Sequence, residues 1–172
     1  MKILSIDLSS KSTGWAVFDT SSGFLIDSGC ITSSSLDVIK RIYIMRDGIQ
    51  EVMKKYNGEI EKIILEEVRP DNRGYGVGNQ HTQKVLMWCQ AAIAFMVHDN
   101  YKDTNIKYIY PSSWRAAIGI QTGRGIKRAS LKEADIEFVK ANFGVEVNDD
   151  EADAICIGYA NCHDIETEIN WE

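Results

Sequence analysis

The chain has 172 residues, 44% of them hydrophobic and 26% charged. These proportions exclude a disordered or fibrous chain and suit a single domain, residues 1–172, burying roughly 70% of its unfolded surface. The formal net charge of −6 argues against a nucleic-acid partner only on average. Between Lys102 and Lys132 stand seven basic residues (Lys102, Lys107, Arg115, Arg124, Lys127, Arg128, Lys132) and one acid, Asp103, net +6, against net −12 elsewhere. A segment so polarised can bind a polyanion, although a solvated loop and helix face is the plainer explanation of a charge run.

The first thirty residues read as a meander of three strands: Lys2–Asp7, Gly14–Phe18 and, after the turn Ser21-Ser22-Gly23, Phe24–Ile31. Leu36–Tyr56 carries apolar residues at helical spacing and stops at Asn57-Gly58, a pair that tolerates the left-handed conformation. Ile60–Leu65 is a buried strand that runs into Glu66 and Glu67, followed by a glycine-rich loop, Arg69–Asn79. Gln80–His98 predicts a long helix, Ile106–Tyr110 a fifth strand, and Pro111 opens a short helix reaching Ile118. Ser130–Asn142 predicts another helix with Gly144 as its stop. The last helix begins at Asn148, where Asn148 and Glu151 match a capping box. The expected architecture is α/β, a five-stranded mixed sheet flanked by helices.

The longest apolar run, Ala91–Val97, is too short to cross a bilayer. MKILSID enters a strand pattern without a signal-peptide core, so the expected location is cytoplasmic, with no membrane partner. Cys30, Cys89, Cys156 and Cys162 lack close paired spacing and are expected to be reduced. They share no zinc-like spacing with His81, His98 or His163.

Four acids stand where a hard metal ion would need them. Asp7 ends the first strand and Glu66 the fourth; if those strands are parallel neighbours, both carboxylates reach one sheet edge. Asp150 and Asp153 are three apart and share a helix face. Oxygen ligands of this kind suit Mg²⁺ or Mn²⁺, and two such ions could activate water and stabilise the leaving oxygen of a phosphodiester. Each acid alone has a plainer role: a turn at Asp7, a solvated strand end at Glu66 and Glu67, a helix dipole at Asp149, Asp150 and Glu151. Asp153 is harder to explain away, because Ala152, Ala154 and Ile155 surround it with small apolar residues. Strand alternation puts Glu66 and Glu67 on opposite faces without choosing between them. Trp114 and Trp15 are expected in the core.

The runs ILSIDLSSKSTGWAVFD, IILEEV and DDEADAICIGYA resemble the RuvC family of Holliday junction resolvases, within the ribonuclease H-like superfamily. The resemblance covers nearly the whole chain, and its short length looks like the phage-encoded branch. It implies a metal-dependent endonuclease cutting four-way junctions and other branched DNA, with Asp7, Glu66, Asp150 and Asp153 as ligands of two metal ions. It favours Glu66 over Glu67, though Asp149 could substitute for Asp150, and it puts the family's basic active-site residue on Lys132. It also implies a homodimer. Arg69, Arg73, Tyr75, Arg115, Arg124, Lys127, Arg128 and Lys132 are the candidate DNA contacts. Bacterial members carry an aromatic residue soon after the glutamate; Arg69 stands there instead, and Tyr75 could take over base stacking.

Two other readings compete: a nuclease acting on structured RNA, as in the YqgF-like proteins, and a silent nucleic-acid-binding module. DLSSKSTG could also be a phosphate-binding turn of actin and sugar-kinase type. That arrangement needs two large domains, so no nucleotide cofactor is expected. The helix Gln80–His98 is apolar around most of its circumference and must be covered on more than one side. A second copy across a two-fold axis would cover it, as would the terminal stretch around Ile169 and Trp171.

Overall fold

A computed structural model of the chain describes residues 1–68 and 77–162, with residues 77–79 described by their backbone alone. Strands β1 (Lys2–Asp7), β2 (Ser12–Asp19) and β3 (Leu25–Thr32) form the meander. Helix α1 (Val38–Lys55) leads to β4 (Ile60–Glu66), and α2 (Val77–Asn100) to β5 (Asn105–Ile109). Helices α3 (Pro111–Ala117), α4 (Arg128–Phe143) and α5 (Asp149–Cys162) complete the described chain. The sheet order is β3-β2-β1-β4-β5. Strands β1, β2 and β3 pair antiparallel, whereas β4 lies parallel to both β1 and β5.

Local chemistry sets the boundaries. Asp19 Oδ1 accepts from the backbone N–H groups of Ser21 and Ser22, shaping the first turn, and Gly23 completes it at φ 71°. Asp37 caps α1 by accepting from Ile39 N and Lys40 N, so the helix starts after Leu36, the expected first residue. Asn57 and Gly58 end it with positive φ. At the other end of the fold, Asn148 Oδ1 accepts from Glu151 N at 2.9 Å. The reciprocal half of the expected capping box is absent, because Glu151 Oε1 accepts from Ser28 Oγ at 2.7 Å and ties α5 to β3. Helix α2 begins three residues before the expected Gln80, inside the stretch read as loop.

The pleat divides the sheet's side chains between two cores. Leu4, Ile6, Ile63 and Leu65 pack under α1 and α2 with Ile49, Met53, Val85 and Ile93. Ile3, Ile64 and Phe18 face the other way, against Trp114 and the α5 residues Ala152, Ala154, Ile155 and Ala160. Trp114 is fully buried as expected, and Trp15 is half-buried. The four cysteines are unpaired thiols. No described helix is long and apolar enough to cross a membrane.

Two glycines let α5 approach the sheet closely. A Cβ on Gly14 would sit 1.9 Å from the Asp150 carbonyl oxygen, and one on Gly158 would sit 2.5 Å from the Phe18 ring. Ser5, on β1, donates from its hydroxyl to Ala154 O at 2.7 Å. Small residues and one buried hydroxyl thus press the first turns of α5 against the end of β1.

Candidate active site

In the parallel pairing of β1 with β4, Ile6 stands opposite Leu65, which brings the next residues, Asp7 and Glu66, to the same sheet end. Both follow the pleat toward α5, as Ile3, Ser5 and Ile64 do before them. Glu67 is one residue further on; burial, and after it the charge of Glu67, raises the phenol of Tyr108, which packs on the α1–α2 side. Of the two glutamates, Glu66 therefore faces the last helix.

The carboxylates feel one another. Burial first, then the charges of Glu66 and Asp150, push Asp7 up to about 8, against the lowering pull of Lys132 and Arg128. Burial, a contact with the Asp135 carboxyl and the charge of Asp7 push Asp153 up to about 9. Burial also raises Glu66, although Trp114 Nε1 donates to its Oε2 at 2.9 Å and Arg115 and Arg128 favour its charge. Asp7, Glu66, Asp150 and Asp153 thus belong to one electrostatic cluster centred on Asp7.

Lys132 enters it from α4. Its Nζ lies 2.5 Å from Asp149 Oδ2, 3.4 Å from Asp150 Oδ1 and 4.0 Å from Asp153 Oδ2. Burial would lower its pKa, but the hydrogen bond to Asp149 and the three carboxylate charges outweigh that and raise it. Asp149 is correspondingly lowered by that hydrogen bond. Asp150 is the nearer of the two to Asp7, and Asp149 is committed to Lys132.

Arg124, in the turn before α4, and Lys127 and Arg128 at its start are exposed, and Arg128 is close enough to favour the charges of Asp7 and Glu66. Arg115 departs from its expected role as a phosphate contact. It is buried, its Nε and Nη2 donate to Asp135 Oδ2 at 3.2 and 2.8 Å, and Nη2 lies 3.5 Å from Asp153 Oδ1. Its guanidinium stacks over the Trp114 ring, 4.0 Å from the centroid. Arg69, Arg73 and Tyr75 lie outside the described residues, as do His163, Ile169 and Trp171.

Sequence reading overlooked Asp135, a completely buried acid on α4. A signal was there: Lys132, Asp135, Ile136 and Val139 form one helical stripe, so an acid stood on the face destined for the core.

Among the described residues no three His, Cys, Asp or Glu side chains are arranged to enclose one metal ion, and Lys132 Nζ lies among the α5 acids. Two of these acids are nevertheless left without a full complement of partners. Asp153 Oδ1 is buried with no hydrogen-bond donor, and Asp7 is held among like charges. All-oxygen donors of this kind fit Mg²⁺ or Mn²⁺ and not zinc.

A mixed sheet ordered β3-β2-β1-β4-β5, with α5 packed against β1 and β2, is a ribonuclease H-like fold of the RuvC type. No protein-family model and no curated protein matches the chain. Among solved structures it is similar to Thermus thermophilus RuvC in complex with a Holliday junction substrate, at 15% identity and a TM-score of 0.69, covering 93% of this chain and 91% of that one. It is similar to the fowlpox virus Holliday junction resolvase at 14% identity and a TM-score of 0.58, covering 95% and 98%. The yeast mitochondrial Holliday junction resolvase Ydc2 follows at 13% identity and a TM-score of 0.55, covering 93% and 77%. At such identities the likeness is one of fold.

Proposed function

We propose that the protein is a metal-dependent, structure-selective DNA endonuclease that resolves four-way junctions by phosphodiester hydrolysis. One observation supports the reading: on a RuvC-type fold, the charges of Glu66 and Asp150 act on Asp7, and that of Asp7 acts on Asp153. These four would hold two divalent ions, Mg²⁺ or Mn²⁺. When bound, such ions supply Lewis acidity toward a phosphodiester and a low-pKa water.

The chain's own residues do the rest. Asp7 and Glu66 project from the ends of adjacent strands, so their spacing is set by the sheet and not by a loop. Arg124, Lys127 and Arg128 are exposed cations, Arg128 within reach of Asp7 and Glu66, and would meet the phosphates of an incoming strand. Lys132, held among the α5 acids, brings an ammonium to where charge develops on the scissile phosphate. Of the similar solved structures named above, one holds a Holliday junction substrate and two are Holliday junction resolvases, which favours branched DNA over structured RNA as the substrate.

The same reading includes a two-fold dimer, since resolving a junction takes matched cuts in two strands. On α2, Val85, Cys89, Ile93, Met96 and Val97 are buried. Met87, Trp88 and Phe95 are 59%, 42% and 70% exposed. Trp88 and Phe95 border a groove of about 550 Å³ between α2 and α1, shared with the exposed Ile39 and Tyr43. Such a patch on a soluble chain is what a second copy would cover. Light scattering should give twice the mass of 19.4 kDa, and Trp88→Ser with Phe95→Ser should halve it and uncouple the two cuts.

The deciding experiment incubates the protein with Mg²⁺ and a synthetic four-way junction, a linear duplex or a structured RNA, beside Asp7→Asn. Symmetric nicking of the junction alone, lost in Asp7→Asn while junction binding persists, is the expected result. Cleavage of the RNA in preference, or cleavage unaltered by Asp7→Asn, would overturn the reading.

A further inference from the structure

Beneath the proposed site lies a buried ion pair. Asp135 is completely buried, and its Oδ2 receives both hydrogen bonds that Arg115 makes to it. Its other oxygen, Oδ1, has no hydrogen-bond donor, and neither does Oδ1 of Asp153, which lies 3.5 Å from Arg115 Nη2. One guanidinium therefore lies between two neighbouring carboxylates: it is hydrogen-bonded to Asp135 and ion-paired with Asp153, on which the Asp135 carboxyl also acts. The adjacent residue on α3, Trp114, lies under that guanidinium and donates its indole N–H to Glu66. Two successive residues of one short helix thus reach the acids of three other elements: β4 through Glu66, α4 through Asp135 and α5 through Asp153.

A buried ion pair is a poor way to stabilise a fold, because desolvation consumes most of the Coulombic gain. A geometric role explains the arrangement better. Arg115 is a planar fork with fixed donor directions, able to orient carboxylates where a lysine would only neutralise them. Groups that orient metal-binding side chains characteristically sit one layer behind them, bonded to the ligand on one side and to the core on the other. Asp135 is so tied: its backbone carbonyl accepts from the Cys156 thiol at 3.7 Å, within the apolar core.

We infer that Arg115, Asp135 and Trp114 are positioning residues of this site: Asp135 fixes the Arg115 guanidinium, Arg115 aims Asp153, and Trp114 aims Glu66. The inference rests on the nuclease reading and names residues that touch neither DNA nor metal. It also replaces the sequence-based role of Arg115 as a phosphate contact.

The test measures three quantities on the full chain and on Arg115→Lys, Arg115→Met, Asp135→Asn and Trp114→Phe: Mn²⁺ affinity by calorimetry without DNA, junction affinity against salt, and single-turnover cleavage. Loss of an orienting group behind a metal ligand costs about 10–100-fold in metal affinity or activity. Each variant should therefore bind Mn²⁺ and cleave about 10–100-fold less well, while junction affinity and its salt slope stay at wild-type values. Arg115→Lys keeps the charge and should recover only part of the loss seen in Arg115→Met. A salt slope lowered by about 0.9 in Arg115→Met, which removes the charge, would make Arg115 a phosphate contact and overturn the inference. Wild-type Mn²⁺ affinity and cleavage in Arg115→Lys and Trp114→Phe would overturn it as well. Those two variants remove donors on opposite arms of the network, so they decide even if Asp135→Asn does not fold. Failure of the nuclease reading looks different, since the wild-type protein itself would then neither bind Mn²⁺ nor cut a junction.

Discussion

The two faces of the sheet are built from the same strands and hold opposite chemistry. Toward α1 and α2, β1 and β4 send Leu4, Ile6, Ile63 and Leu65 into an apolar core. The one buried charge on that side among the described residues, Arg41 on α1, sits at its rim, donating to Ser35 O and Leu36 O. Toward α3, α4 and α5 the same strands send Ile3, Ser5, Asp7, Ile64 and Glu66, and the helices return Arg115, Lys132, Asp135 and Asp153. The difference shows how a sheet separates stability from chemistry with a period of two. One face makes the fold cohesive, and the other can then carry charges that oppose folding.

The sharpest way to break this contrast is to compare neighbours on opposite faces. Glu66→Gln should reduce junction cleavage by at least about 10²-fold, the scale of losing one preorganised electrostatic group. Glu67→Gln, one residue along and on the Tyr108 side, should stay within a few-fold. Equal losses in a gel assay of cleavage would mean that the pleat does not sort function from packing.

Packing variants should show the reverse pattern. Ile93→Ala, in the α2 core, should cost about 2–5 kcal/mol of unfolding free energy while leaving kcat unchanged at a temperature where it is folded. Gly14→Ala forces a methyl group onto the Asp150 carbonyl and should cost about 1–3 kcal/mol as overpacking. It must also push the first turn of α5 outward, so cleavage should fall even where the chain is fully folded. Denaturant melts paired with single-turnover assays would read both effects.

The charged face should also make stability depend on pH. Asp7 and Asp153 ionise near 3.8 when unfolded but only near about 8 and about 9 when folded. Between those values the folded chain holds protons that the unfolded chain has released, so stability must fall as pH rises. In EDTA the thermal midpoint should therefore decline from pH 5 to pH 8 and level off above about pH 9. Asp7→Asn should flatten the decline, and Mn²⁺ should raise the midpoint more at pH 8 than at pH 5. A midpoint that climbs across this range would show that these acids are not confined as described.

The smallest expected effect lies at the edge of the same face. Replacing Lys127 and Arg128 together by Ala should lower the slope of log K against log salt by about 0.9 for each phosphate that is no longer neutralised. An unchanged slope would leave the start of α4 as no more than a solvated surface.

Much of this was legible in the residues alone, and for identifiable reasons. Strand period, helix period, the Asn57-Gly58 and Gly144 stops and the Asn148 cap are local, and each of those elements formed within a few residues of its expected place. The pairing of β1 with β4, which unites Asp7 with Glu66, followed from topology rules that leave few options for such an element order. What the sequence could not decide is where a long side chain ends when several partners compete for it. Arg115 stands in a basic run and reads as a surface cation, yet α3 turns it inward onto Asp135. Glu151 fits a capping box, yet β3 offers it the Ser28 hydroxyl instead. Asp135 went unread in the sequence, and its burial follows from the packing of α4 against α5. Backbone periodicity is written in neighbouring residues, whereas the partner of a buried charge is set by desolvation among elements distant in sequence, and only the assembled fold brings those together.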